Sequence, residues 1–215
     1  METDTRCKEI FTSEPIIAYS KDKSIGDKGQ DRGSLKALID ESKGLLESHT
    51  QNYTKQILDG LCFLHEKGYI HRDLKAANIL LDIDKKNIKL ADFGVSRFRN
   101  TISSGQVKTF TGTIYWMSPE MITKEGYGTK TDIWSLACVI LEMFTTRTPW
   151  SELESQAAIF KIGNGAEFDY RLPEKVSETC RRFLDQCFQR DPVKRPSAKV
   201  LVNYAWIEHV SNTRL

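Results

Sequence analysis

The fold of this 215-residue chain turns on His71-Arg72-Asp73-Leu74-Lys75-Ala76-Ala77-Asn78. Taken singly, these residues have ordinary explanations. Asp73 could cap a turn, Asn78 could satisfy a loop, and His71 could be a core histidine. Their neighbours narrow the choice. Asp92-Phe93-Gly94 follows downstream, and then Gly112-Thr113 ahead of Ser118-Pro119-Glu120. Between the first two groups lie short β-branched segments at residues 79–81 and 88–90, with residues 82–87 as a turn.

Working outward, the flanking pattern is that of packed helices. Residues 34–41 suggest a short helix. Ser48 with Gln51 has the form of a capping box. The helix it would open runs to about Lys67, with Tyr53, Ile57, Leu61 and Leu64 on one face and Gly68 closing it. Residues 132–145 form a strongly apolar helix, and three more are expected near 154–162, 177–188 and 198–206. Within residues 133–144 only Ser135 and Glu142 interrupt the apolar run, which is too short to span a bilayer and reads as a buried helix.

Residues 1–32 differ from the rest. Residues 21–33 are nearly all polar, include Gly26, Gly29 and Gly33, and read as a loop or disordered linker. The first twenty residues do not have the basic start and apolar block of a signal peptide. A net charge of +2 points to neither nucleic acid nor a membrane surface. Five cysteines without CxxC spacing read as reduced cytosolic thiols, not as a disulfide framework or zinc site.

The three groups in this order resemble the protein-kinase signature set: the HRDxKxxN catalytic loop, the DFG motif and the APE motif. The resemblance covers about residues 33–210 and continues through Asp132-Ile133-Trp134-Ser135 and Arg190-Asp191-Pro192 to Arg195-Pro196. It implies a mainly α fold with a small β component, the helical lobe of a kinase, with the N-terminal β lobe largely absent. The domain layout that follows is a degenerate or disordered segment at 1–32, a kinase C-terminal lobe at 33–210 and a tail at 211–215.

Roles follow from the same resemblance. Phosphoryl transfer needs a group that takes the acceptor's proton, cations on the phosphates, and ligands for those cations. Asp73 would be the base. Lys75 would neutralise the transferring phosphoryl, which marks serine/threonine specificity. Asn78 and Asp92 would bind the Mg²⁺ that accompanies ATP, and Leu80 would underlie the adenine. His71 and Phe93 would stack in the hydrophobic spine. Thr113 would contact the catalytic aspartate and lysine, and Asp132 would start the DxWS helix. Glu120 and Arg195 would form a buried ion pair. Ser118 stands where the family has alanine, and Ile114 where the related group has proline.

Residues 94–111 form a hydroxyl-rich, basic segment of the kind phosphate can order. Thr109, then Thr111, are the expected phosphorylation sites for an upstream kinase, with Arg72 as the phosphate partner. Residues 111–120, 127–136 and 148–150 are similar to the MAP kinase kinase kinase group, and residues 157–162 to its MEK-kinase branch. The implied substrate is a MAP kinase kinase, and the implied location is cytoplasmic. Nothing in residues 1–32 reads GxGxxG followed by VAIK, and residues 21–32 look unsuited to the hinge strand. Two alternatives therefore accompany the enzyme reading: a catalytically inactive kinase-lobe interaction module, and a truncated product of a full-length kinase gene.

Overall fold

The computed structural model describes residues 31–92, 97–98, 114–123, 126, 128–165 and 170–208. The expectations for residues 1–30, Phe93, Thr109, Thr111 and Thr113 lie outside these residues.

The chain enters through strand β1 (Asp31–Ser34) and turns at once into helix α1 (Leu35–Ser42). Ser34 is the N-cap, and its Oγ accepts the Ala37 N–H at 3.3 Å. Helix α2 (Glu47–Glu66) follows, then strand β2 (Tyr69–Ile70). Gly68 has φ +82°, the left-handed conformation in which a glycine ends a helix at little cost.

Strands β3 (Ile79–Asp82) and β4 (Ile88–Leu90) pair antiparallel, with Leu80 opposite Lys89. In β3, Ile79 and Leu81 are buried while Leu80 is half-buried, the alternation expected of a strand with one face on a core. β1 pairs antiparallel with β3, so the sheet runs β1-β3-β4. Of residues 21–32, set down as unsuited to a buried strand, the described Asp31 and Arg32 lie in this edge strand. β1 lies at the sheet edge and is irregular between Asp31 and Gly33, so backbone pairing is enough to hold it. β2 pairs with strand β5 (Arg97–Phe98) in a second, two-stranded sheet.

The rest is helical: α3 (Pro119–Thr123), α4 (Lys130–Thr145), α5 (Ser155–Gly163), α6 (Glu178–Cys187), α7 (Ala198–Leu201) and α8 (Ala205–Glu208). The single helix expected at 198–206 is thus two short ones. The architecture is mainly α with a small β component.

Helix α4 is the axis of the core. Every residue from Thr131 to Phe144 is buried, polar ones included. Leu58, Leu61, Leu64, Leu136, Val139 and Ile140 belong to one buried cluster, which also takes in Ile79, Leu90, Phe183 and Trp206. Each such side chain stabilises the fold by about 1.5–3 kcal/mol when fully buried. Gly44 fixes the α1–α2 connection against this axis. It has φ +102°, and a Cβ there would lie 2.9 Å from the Phe144 carbonyl oxygen.

One local expectation fails. The N-cap of α2 is Leu46, with no side-chain cap, so Ser48 and Gln51 do not form a capping box. Tertiary partners claim this end of the helix instead. Gln51 Nε2 donates to the Trp206 carbonyl. The Glu47 carboxylate accepts the Ser177 N–H at 2.8 Å and Trp206 Nε1–H at 2.8 Å. Among the described residues no helix is long and apolar enough to cross a membrane.

Candidate active site

The loop between β2 and β3 holds the residues singled out first. Asp73 lies at its centre. Lys75 Nζ approaches the Asp73 carboxylate at 3.1 and 3.3 Å. Asn78 Nδ2 donates to Asp73 Oδ2 at 2.9 Å and to the Asp73 carbonyl at 2.8 Å. The Asp73 side chain keeps 15% of its surface exposed, so the carboxylate is held but still reachable by a substrate.

The backbone here is strained. Arg72 has φ +69° and Asp92 φ +65°, a region costly for residues with a Cβ. Such conformations persist only where the surroundings fix them. For Arg72 the fixing group is Asp132, at the start of α4. Its Oδ1 accepts the Arg72 N–H and its Oδ2 the His71 N–H, both at 2.9 Å. His65 Nε2 lies 2.8 Å from the same Oδ2. Burial alone would push the Asp132 carboxyl up, but the His65 and His71 interactions and the Arg72 N–H outweigh it and hold it below its ordinary value. Burial lowers the pKa of His71. Its Nδ1 accepts the Asp73 N–H at 3.4 Å.

Asn78 and Asp92 come together through the backbone, since the Ala91 N–H donates to the Asn78 carbonyl at 2.9 Å. Both Asn78 Nδ2 protons point to Asp73, so Oδ1 is the side-chain atom that could bind a cation. Asp92 is exposed. Two hard oxygen donors of this kind fit Mg²⁺, which keeps waters and phosphate oxygens in its shell. No group of three or more His, Cys, Asp or Glu among the described residues could hold a metal by itself.

Glu120 and Arg195 form a bidentate pair, with Nη1–Oε1 at 2.7 Å and Nη2–Oε2 at 3.1 Å. Both are buried. Arg195 also donates to the carbonyls of Lys130 at 2.7 Å and Gln189 at 3.0 Å, and its guanidinium lies 5.2 Å from the Trp134 ring centroid. Thr131 Oγ1 donates to Glu120 Oε1 at 3.2 Å, and Ser118 Oγ to Thr131 Oγ1 at 3.3 Å. The serine at 118 therefore joins the network. Burial would raise the Glu120 pKa, but the Arg195 hydrogen bonds and charge outweigh it and hold it low.

A family model described as the protein kinase domain matches residues 7–207. The chain belongs to that family. The match takes in most of residues 1–32, the segment set apart by composition.

The kinase domain is similar to several MAP kinase kinase kinases. It is 45% identical over 181 residues, 82% of the chain, to serine/threonine-protein kinase BCK1/SLK1/SSP31 of Saccharomyces cerevisiae. Over 180 residues, 83% of the chain, it is 45% identical to mitogen-activated protein kinase kinase kinase 3 of Mus musculus. Mitogen-activated protein kinase kinase kinase YODA of Arabidopsis thaliana is 44% identical over 179 residues, 83% of the chain. The matched region spans 12%, 28% and 20% of those three proteins.

Within this kinase domain most of the described candidates fall in three places. Asp73, Lys75 and Asn78 converge directly. His71, Arg72 and Asp132 form the support behind them, while Glu120 and Arg195 form a separate buried pair. Leu80, opposite Ser34 in the sheet, is half-buried beside the β1–α1 junction. Among the described residues, His65, Thr131, Ser135 and Glu142 are contributors that went unassigned in the sequence. Ser135 and Glu142 did carry a signal, as the interruptions of the apolar run. His65 carried none, because a lone histidine near a helix end has no partner until the chain folds.

Proposed function

We propose that this kinase domain supplies the catalytic and substrate-binding lobe of a serine/threonine kinase acting in a MAP kinase cascade. It would transfer the γ-phosphate of ATP to a hydroxyl of a MAP kinase kinase in the cytoplasm. The observation that carries this reading is the convergence of Lys75 and Asn78 on the Asp73 carboxylate. Bound Mg·ATP supplies the phosphoryl group and the cations that neutralise it. Asp73 accepts the proton of the substrate hydroxyl as its oxygen bonds to phosphorus and ADP leaves. Lys75 offsets charge on the transferring oxygens. Asn78 Oδ1 and Asp92 would hold the ion, and Leu80 would lie under the adenine.

Thr113 positions substrate in this reading. Thr109 and Thr111 receive phosphate from an upstream kinase and Arg72 binds it. The kinase lobe is assigned to residues 33–210, with 1–32 and 211–215 as flanking segments. Incubation with Mg·ATP and a MAP kinase kinase, with and without an activating kinase, tests the proposal. Phosphate incorporation that Asp73→Asn abolishes in a folded sample supports it. Absence of incorporation in the folded parent chain under both conditions overturns it.

A second reading is a non-catalytic interaction module built on the same lobe. It requires capture of a MAP kinase kinase that survives Asp73→Asn. Loss of capture in that variant, with folding retained, excludes it.

A further inference from the structure

Strands β3 and β4 form a hairpin whose base carries the candidate cation ligands. Asn78 immediately precedes Ile79, and Asp92 lies just beyond Leu90. The Ala91 N–H, bonded to the Asn78 carbonyl at 2.9 Å, closes that base. The turn at the other end, residues 82–87, is held by Tyr53 and Gln56 of α2, which have no part in the chemistry proposed above. Among the described residues no strand pairs with the outer edge of β4. The side chain of Gln56 fills that place. Its Oε1 accepts the Ile88 N–H at 3.0 Å, and its Nε2 donates to the Lys86 carbonyl at 2.9 Å. Those groups flank Asn87, so the one amide bonds as a peptide group of a neighbouring strand would. A further Nε2 bond, to Asn52 Oδ1 at 3.1 Å on the same helix, fixes which way the amide faces.

Tyr53 stands one turn earlier on the same helix face and holds the tip. It is 2% exposed, and its hydroxyl donates to the Lys85 carbonyl. Burial and then the Asp82 charge push its pKa up to about 12, so the hydroxyl stays a donor. Lys85 has φ +57°, a left-handed conformation that is costly for a residue with a Cβ. Within the turn, Asp82 accepts the Lys86 N–H at 2.8 Å and Asn87 Nδ2–H at 2.6 Å. What these contacts fix is register. A slip of one residue between β3 and β4 would move Asp92 by about 3.3 Å relative to Asn78 and turn the β4 side chains to the opposite face.

We propose that Gln56 and Tyr53 are positioning residues: by pinning the outer edge and the tip of the β3–β4 hairpin they set its register, and with it the spacing of Asn78 and Asp92 as cation ligands. Mg²⁺ demands near-octahedral geometry, so a ligand displaced along the hairpin is a poor ligand. The inference rests on the reading of Asn78 and Asp92 as cation ligands, while the register itself is measurable without any cation.

The test uses the full chain labelled with ¹⁵N, with circular dichroism to check that each variant is folded. Amide exchange is followed at Ile88 and Ala91 and, as a control for global opening, at Val139 and Ile140 in α4. Gln56→Leu keeps the bulk and removes the amide. It is expected to speed exchange at both Ile88 and Ala91 about three- to tenfold, the factor for one lost hydrogen bond, and to leave Val139 and Ile140 unchanged. Tyr53→Phe is expected to speed Ala91 exchange within the same range. Mn²⁺, which shares the preference of Mg²⁺ for oxygen ligands, is then titrated alone into each protein and read by broadening of the Asn78 and Ala91 amide resonances. Its affinity is expected to fall about tenfold in Gln56→Leu, as for other residues that stand behind metal ligands. Ala91 exchange at the parent rate in folded Gln56→Leu overturns the proposal. So does equal acceleration at Val139 and Ile140, which would make the contact merely structural, and so does unchanged Mn²⁺ affinity in that variant. Absence of Mn²⁺ broadening in the parent overturns the ligand reading, and the proposal with it. Exchange without Mn²⁺ and broadening in the parent therefore make the two failures separately visible.

Discussion

The backbone N–H of Arg72 donates to Asp132 Oδ1 at 2.9 Å, across a separation of 60 residues. That bond holds a non-glycine residue at φ +69° directly before Asp73. The strained loop is thus stored against the start of the most buried helix, where the helix cannot shift without exposing the core.

Asp132→Ala is expected to destabilise the fold by about 3–5 kcal/mol, the range for breaking a buried charged network from one side. Urea denaturation measures it. The pH dependence has a definite sign. The folded pKa of Asp132 lies below its ordinary 3.8, so its contribution is complete above that value and is lost as pH falls through the folded pKa. Asp132→Asn is expected to flatten the acid limb of the stability curve. A limb of unchanged slope counts against the role.

Arg195 and Glu120 make a different kind of prediction. Arg195→Met leaves a buried carboxylate facing Thr131 and Ser118, and is expected to cost about 3–5 kcal/mol. Adding Glu120→Leu removes the orphaned charge, so the double variant is expected to be less destabilised than the sum of the singles. Denaturant midpoints for the four proteins close the cycle. Strict additivity would mean that the pair is not coupled.

Gly44→Ala probes the α1–α2 connection. The left-handed φ and the approach to the Phe144 carbonyl both disfavour a Cβ. A loss of about 1–3 kcal/mol is expected, as for other strained backbone positions. Ser48→Ala, by contrast, is expected to lie within about 0.5 kcal/mol of the parent, since Ser48 is exposed and caps nothing. Thermal denaturation of the two variants separates the cases.

The thiols give a chemical readout. Burial pushes Cys138, Cys180 and Cys187 well up, and pushes Cys62 up to about 11. At neutral pH these four are expected to react with a thiol reagent far more slowly in the folded chain than in urea. Rapid labelling of the fully buried Cys138, Cys180 or Cys187 in the folded state would show that the core is open.

Much of the candidate site was legible because its residues are close together in the chain. Asp73, Lys75 and Asn78 fall within one short loop, so their spacing already announces a shared centre. The β3–β4 hairpin was legible for the same reason. Strand β1 was not, because an edge strand is stabilised by backbone pairing to β3 and its polar side chains give no apolar pattern. The Ser48–Gln51 capping box was misread because Glu47 and Gln51 instead answer to Ser177 and Trp206, over a hundred residues away.

The sequence by itself determined the family and the helix-rich lobe and singled out the candidate site residues, since these depend on motifs and patterns local in the chain. It also marked Ser135 and Glu142 as odd in an apolar helix, without saying why. Only the tertiary structure decided that. Burying a polar group requires a partner, and the partners lie on other segments: Trp116 for Ser135, and both Trp116 and Ala76 for Glu142. The candidate residues Asp73, Lys75 and Asn78 are written side by side, whereas those that hold their loop in place meet only when α4 is packed against it.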